Sequence, residues 1–103
     1  MVHVIALIRI RPGGREKFLE IFRALVPQVH AEDGCIAYGP TVDVDAGLGE
    51  LQAGPDANLV TVVEQWESVA HLQAHLAAPH MDRFREEAGD LIESLRVHVT
   101  EPA

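Results

Sequence analysis

The chain's hydrophobic patterning predicts an α+β domain of order β-α-β-β-α-β, a ferredoxin-like antiparallel sheet with its helices on one face. Three observations carry this expectation. Runs rich in Val, Ile and Leu open the chain, recur in its middle and close it. Between them lie two stretches whose apolar residues return at helical spacing. Clusters of Gly, Pro and Asp separate the runs, where turns are needed.

Each element follows from its residues. Residues 2 to 11 are apolar on both parities, which suits a central strand covered on both sides, and Pro12-Gly13-Gly14 ends it. From Arg15 to about Glu32, Phe18, Phe22, Leu25 and Val29 form a stripe flanked by Ile21 and Val26, as in an amphipathic helix. Pro27 lies inside that helix and is expected to kink it, since its ring removes one amide donor. After Asp33-Gly34, residues 35 to 45 form a second strand, which Pro40 confines to an edge or a bulge.

Residues 46 to 57, with Gly47, Gly49, Gly54 and Pro55, form a long hairpin connection: a lid, a binding loop, an interface arm or a plain surface insertion. The valine-rich run Asn58 to Glu67 is a third strand, and Ser68 can cap a helix running to about Ala78. Pro79 opens the next helix at the position where proline is best tolerated, and Met81, Phe84, Ala88 and Leu91 line one side of it. Ser94 to Glu101 alternates as a last strand, with Leu95, Val97 and Val99 on one face. This order places the first and third strands in the centre and the second and fourth at the edges. Helices cover only one face, yet the other parity still carries Ile5, Leu7, Cys35, Ala37, Leu59 and Val63, or their equally apolar neighbours. A patch of that size points to a homodimer packed sheet to sheet.

At 103 residues the chain is a single domain, residues 1–103, with one modest core. Its net charge of -8, from 8 Lys+Arg against 16 Asp+Glu, disfavours nucleic acid and anionic membranes, which attract a basic face. A small molecule or another protein is the expected partner. Cys35 is the only cysteine, so neither an internal disulfide nor a thiolate metal cluster can form within one chain, and a small buried apolar role is expected for it. The first residues carry no basic leader and their apolar run is too short to span a bilayer, so a soluble cytoplasmic protein is expected.

Candidate chemistry gathers between Glu64 and Phe84, which hold the one tryptophan and three of the six histidines. Histidine titrates near neutrality, so an imidazole on an apolar margin beside an aromatic wall suits proton transfer to an organic molecule. With Val69, Leu72 and Leu76 taken as the inward stripe, His75 falls at the margin of the buried face and His71 points toward water. His80 lies near the Phe84 line and is expected to be partly buried. His75 and His80 are therefore the proton-transfer candidates, against a structural role in hydrogen bonding. Trp66 is either a core tryptophan or a stacking wall. Glu64, on the same strand parity, needs a partner if buried, in a salt bridge or in orienting a histidine. Tyr38 can present its hydroxyl to a cleft or simply pack.

His71 and His75 have the spacing of a zinc helix, but no third ligand is evident, and no metal is expected. His3, His30 and His98 read as solvated surface residues. No Gly-x-Ser-x-Gly elbow, phosphate loop, paired-carboxylate motif or basic aromatic patch occurs, and Gly47-Leu-Gly49 does not complete a dinucleotide fingerprint.

Taken in order, the opening strand with Arg11-Pro-Gly-Gly-Arg-Glu-Lys-Phe18, the Leu25-Val-Pro-Gln-Val29 segment, Glu32-Asp-Gly-Cys-Ile-Ala-Tyr38, and the block from Glu64-x-Trp66 through His75-x4-His80-x3-Phe84 resemble the antibiotic biosynthesis monooxygenase family, the quinol-monooxygenase-like dimeric α/β barrels. The resemblance runs nearly end to end. It implies a homodimer with a cleft in each subunit between helices and sheet, and an oxygenase that needs no flavin, haem or metal. Such an enzyme requires a substrate that supplies its own electrons to O2, a small hydroquinone or polyphenol. On this expectation His75 or His80 helps remove a phenolic proton, with Trp66, Tyr38, Glu64 and Phe84 holding the ring. Two departures stand out: the 46 to 57 hairpin is longer than the family's usual connection, and the first strand lacks the asparagine of haem-degrading relatives, which disfavours haem oxygenation. The family's isomerases keep open a proton-shuttling isomerase of a hydroxy-ketone or lactone, and its unassigned members a non-catalytic ligand-binding or stress-response dimer.

Overall fold

A computed structural model describes residues 1–103. The strands are β1 (Val2–Ile10), β2 (Cys35–Thr41), β3 (Leu59–Trp66) and β4 (Ile92–Thr100), and the helices α1 (Arg15–His30), α2 (Val69–Leu76) and α3 (Pro79–Ala88). All pairings are antiparallel and the sheet order is β2-β3-β1-β4, with the two valine-rich strands central as the sequence predicts.

Period-two alternation decides what each strand faces. Val2, Val4, Ala6, Ile8 and Ile10 of β1 are buried under the helices, and they stand opposite or beside Val60, Val62, Glu64 and Trp66 of β3. Phe18, Phe22, Leu25 and Val29 of α1 close over that face. The opposite face has no helix, and on it Val63 is 43% exposed while Ile5, Leu7 and Leu59 are only partly shielded by their neighbours.

A bulge in β2 changes the expected parity. The register slips between Cys35 and Ala37, so Cys35 pairs with Trp66 and Tyr38 with Glu64, both on the helix side. Ile36 is the extra residue and turns outward, half exposed. Cys35 therefore packs against the core and does not belong to the open face. Without this slip Tyr38 would not reach the interior, because a shift of one residue exchanges the two faces.

Pro40 sits on the edge strand, as its missing donor requires. The ladder stops at Thr41, four residues before the expected end, and the chain then forms the long connection. That connection is tied by its own polar groups: Ala46 N donates to Gln52 Oε1 at 3.0 Å, Gly47 N to Asp45 Oδ1 at 2.9 Å, and Asp56 N to Asp43 Oδ2 at 2.9 Å. Arg9 fastens its far end to β1 through Asp56 at 2.8 Å. Helix α1 continues unbroken through Pro27 and ends at His30, slightly earlier than its apolar stripe suggests.

Two glycines have a conformational reason. Gly13 has φ +81 in the turn that sends β1 into α1. Gly34 has φ +81 as well, and a Cβ there would overlap the His71 imidazole. Its carbonyl also accepts the Glu67 amide at 2.9 Å, locking the turn after α1 to the end of β3. Gly34→Ala is expected to destabilise the fold by about 1–3 kcal/mol, the sum of backbone strain and a displaced ring. Urea unfolding checks this, and a midpoint equal to that of the parent chain would contradict the packing described.

Candidate functional site

Strand β4 lies beyond the reach of the helices, so its helix-side residues Leu95, Val97 and Val99 remain about half exposed. They pair with Ile8, Ala6 and Val4 and extend the core surface outward. The result is a cleft of about 320 Å³ between this sheet margin and helices α2 and α3, lined by 17 residues of which 14 are apolar. That volume sits at the low end of small-molecule sites, which suits one or two rings. A larger hollow of about 580 Å³ lies on the outer side of α1, but its walls are only Glu16, Lys17, Glu20 and Arg23, with no apolar floor for an organic guest.

The polar groups of the cleft are few, and each has a specific support. His75 on α2 is 2% exposed. Ser68 caps α2, its hydroxyl accepting the His71 amide at 3.2 Å, and Leu72 with His75 forms the inward face. Val69 and Leu76 are each 50% exposed, so the inward direction is rotated from the expected stripe and His75 is central to the buried face, not marginal. A helix of eight residues docks through its single best-placed leucine, and of the flanking apolar residues Leu76 lines the cleft while Val69 does not.

The Nδ1 of His75 lies 2.8 Å from Glu32 Oε2, and the Nε2 of His80 lies 2.8 Å from the same oxygen. Glu32 is 13% exposed at its side chain and directly follows α1. Its amide donates to Val29 O at 2.9 Å and its carbonyl accepts from Cys35 at 3.3 Å, so its backbone is held on both sides. An ionised carboxylate only accepts, so both imidazoles donate to it. His75 is thereby set in the Nδ1–H tautomer. Its Nε2 has no protein partner, and no buried side-chain nitrogen or oxygen is unsatisfied, so that lone pair opens into the cleft. Burial is the largest influence on His75 and lowers its pKa, outweighing the opposing pull of Glu32.

Glu64 stands in β3 opposite Tyr38. Its Oε1 accepts the Trp66 indole N–H at 2.9 Å. Burial raises the Glu64 pKa, and the Trp66 hydrogen bond only partly offsets it. Tyr38 stacks on Phe22 with centroids 5.5 Å apart, meets His75 edge-on at 5.3 Å, and its phenol is also pushed upward, chiefly by burial and then by Glu64. The phenol therefore stays protonated as a hydrogen-bond donor. Arg85, at the mouth, donates to the Leu76 carbonyl at 2.7 Å.

The structure sorts the sequence candidates clearly. His75, Tyr38, Glu64 and Phe84 line the cleft together. Trp66 is fully buried behind them, 4.6 Å from the His75 ring, and is a backing for that imidazole, not a wall of the cleft. His80 does not line the cleft; it faces a narrow groove between α1 and α3 and touches His75 only through Glu32. His71 and His75 part company despite their spacing, because His71 turns to Ser68 at 2.7 Å and to Asp33 at 3.5 Å. Glu32 and Arg85 went unrecognised in the sequence. Glu32 sits 43 residues from His75, and only its place in the turn motif before Gly34 hinted at a fixed position.

The fold and cleft define a member of the antibiotic biosynthesis monooxygenase family: residues 1–87 match that family's sequence profile, and the chain belongs to it as a monooxygenase. Among individual relatives it is similar to Probable quinol monooxygenase YgiN of Escherichia coli K12, at 43% identity covering 99% of this chain and 98% of that protein. Among solved structures, PA3566 from Pseudomonas aeruginosa superposes with TM-score 0.81 at 27% identity over 99% of this chain and 93% of that one. Rv0793 from Mycobacterium tuberculosis gives TM-score 0.80 at 26% identity over 99% and 94%. No helix is long and apolar enough to cross a membrane.

The depressed pKa of His75 has a consequence for stability. The unfolded chain, with an ordinary histidine near 6.5, takes up the proton before the folded one does, so folding loses free energy as pH falls from about 6.5 through the lower folded value. Above that window the contribution is fully present. His75→Gln is expected to flatten this part of the stability profile, measured by denaturant unfolding between pH 7.5 and 5, and an unchanged slope would place the titration elsewhere.

Proposed function

We propose that this protein is a cofactor-independent monooxygenase of the cytoplasm that oxidises a small electron-rich aromatic, a quinol or polyphenol, with O2. The observation that carries the reading is the unpartnered Nε2 of His75, held toward an apolar cleft by the Glu32 hydrogen bond on the other side of its ring. A ring hydroxyl placed there gives its proton to Nε2, and the imidazolium that forms gains the Glu32 carboxylate as counter-ion. Glu64 and the Tyr38 hydroxyl lie in the same cleft to fix the ring by hydrogen bonds, while Phe84 supplies apolar contact. The deprotonated ring then supplies the electrons that O2 requires. A ring bound against the apolar walls displaces water from them, which slows simple reprotonation.

In this reading the two histidines have different tasks. His75 takes the proton, and His80 is a positioning residue that pins Glu32 from the far side. Trp66 keeps the imidazole plane and holds Glu64 in place. The name of the E. coli relative, a quinol monooxygenase, supports the substrate class. The reading includes a homodimer, since the apolar open face with Ile5, Leu7, Leu59 and Val63 would otherwise meet water.

Oxygen uptake with a panel of hydroquinones tests the proposal. Metal-free, flavin-free protein is expected to consume O2 with a substituted quinol, and His75→Ala to lower kcat by about 10²–10⁴-fold, the usual worth of general-base catalysis. His80→Gln, which retains a donor to Glu32, is expected to lose far less. Quinol turnover without O2 uptake, alongside rearrangement of a hydroxy-ketone, would reject the monooxygenase in favour of an isomerase, and unchanged activity in His75→Ala would remove the base assigned here.

A further inference from the structure

We propose that Glu32, His75 and His80 form a binding site for a zinc-type divalent ion, and that filling it switches the enzyme off. The switching half of this inference rests on the assignment of His75 as the base. The three ligand atoms lie within 4.8 Å of one another, and each histidine nitrogen is 2.8 Å from Glu32 Oε2. Two imidazoles and one carboxylate with a fourth position for water are a donor set that zinc accepts. Zn–N and Zn–O bonds of about 2.0–2.2 Å require tetrahedral ligands roughly 3.3 Å apart. The observed contacts therefore need to open by only about half an ångström.

The scaffold allows that small movement without rearranging the backbone. The ligands come from three places, the turn after α1, helix α2 and the first turn of α3, each independently anchored. His75 is held most tightly, at 2% side-chain exposure, whereas His80 at 17% has room to shift. His80 also lines the groove between α1 and α3, beside Gln28, Arg83 and Glu87, so this ligand meets solvent on the side away from the cleft.

Coordination changes the chemistry of His75 without any redox step. With both histidines neutral, the ion takes the Nδ1 lone pair of His75 and the Nε2 lone pair of His80, and the proton each nitrogen carried moves to the other nitrogen of its ring. No net proton is released. His75 then carries its hydrogen on Nε2, facing the cleft as a donor, and a ring hydroxyl finds no base there. Asp33, Glu67 and His71 also cluster within 4.8 Å, but their carboxylates are 97% and 62% exposed, which makes that group a solvated surface trio and a useful control.

The test uses full-length protein stripped of metal by chelation. Calorimetric titration with Zn2+ is expected to show one tight site per chain, and Co2+ a tetrahedral absorption band. His80→Gln is expected to weaken binding more than about a hundredfold, beyond the ten- to hundredfold loss of an outer-shell partner, while His71→Gln leaves it unchanged. Glu32→Gln is read the same way should His80→Gln fail to fold. Binding that survives His80→Gln but falls with His71→Gln, or that neither variant alters, overturns the site. In the same samples one equivalent of Zn2+ is expected to abolish quinol-dependent O2 uptake and EDTA to restore it. Tight binding with full turnover would overturn the switch and with it the role of His75, while leaving the metal site in place.

Discussion

One carboxylate oxygen organises the cleft side of this molecule. Glu32 Oε2 receives hydrogen bonds from two imidazoles at 2.8 Å each, and in doing so it joins the turn after α1 to both helices of the second crossover. An ionised carboxylate accepts and never donates, so this single contact dictates which nitrogen of His75 carries hydrogen. The orientation of the lone pair toward the cleft follows. Bonds to a charged partner contribute more than neutral ones, and at 13% side-chain exposure little water competes for this oxygen.

The surrounding aromatic layer acts through the same group. Phe22, Tyr38, Trp66 and Phe84 form a chain of ring contacts with centroids 5.5 to 6.5 Å apart, and His75 lies against Tyr38 and Trp66 at 5.3 and 4.6 Å. That packing removes water from the imidazole, which lowers its pKa, and from Glu64 and Tyr38, which raises theirs. Burial thus moves an amine-type group and two acids in opposite pKa directions with one chemical result: all three are biased toward their uncharged forms.

Much of the fold was legible because its signals are local. Period-two alternation in β1 and β3, the Phe18 to Val29 stripe, the Ser68 cap and the Pro79 start each depend on neighbours within a few residues. The bulge at Ile36 was not legible, since nothing in Cys-Ile-Ala-Tyr marks which residue is extra; only the fit of Tyr38 into the core selects it. The same limit applies to the site. His75, Tyr38, Glu64 and Phe84 were identifiable from faces of elements, but the Glu32 contact spans 43 and 48 residues and depends on how the α1 turn docks. Trp66 looked like a ligand wall because strand parity gives a direction and no depth.

Heteronuclear NMR of the imidazole nitrogens reads out directly which nitrogen of His75 carries the hydrogen. At neutral pH the His75 ring is expected to carry its hydrogen on Nδ1, with Nε2 showing the shift of an unprotonated nitrogen, and Glu32→Gln to disturb this preference. A hydrogen resident on Nε2 in the free protein, or a His75 ring doubly protonated at neutral pH, would contradict it.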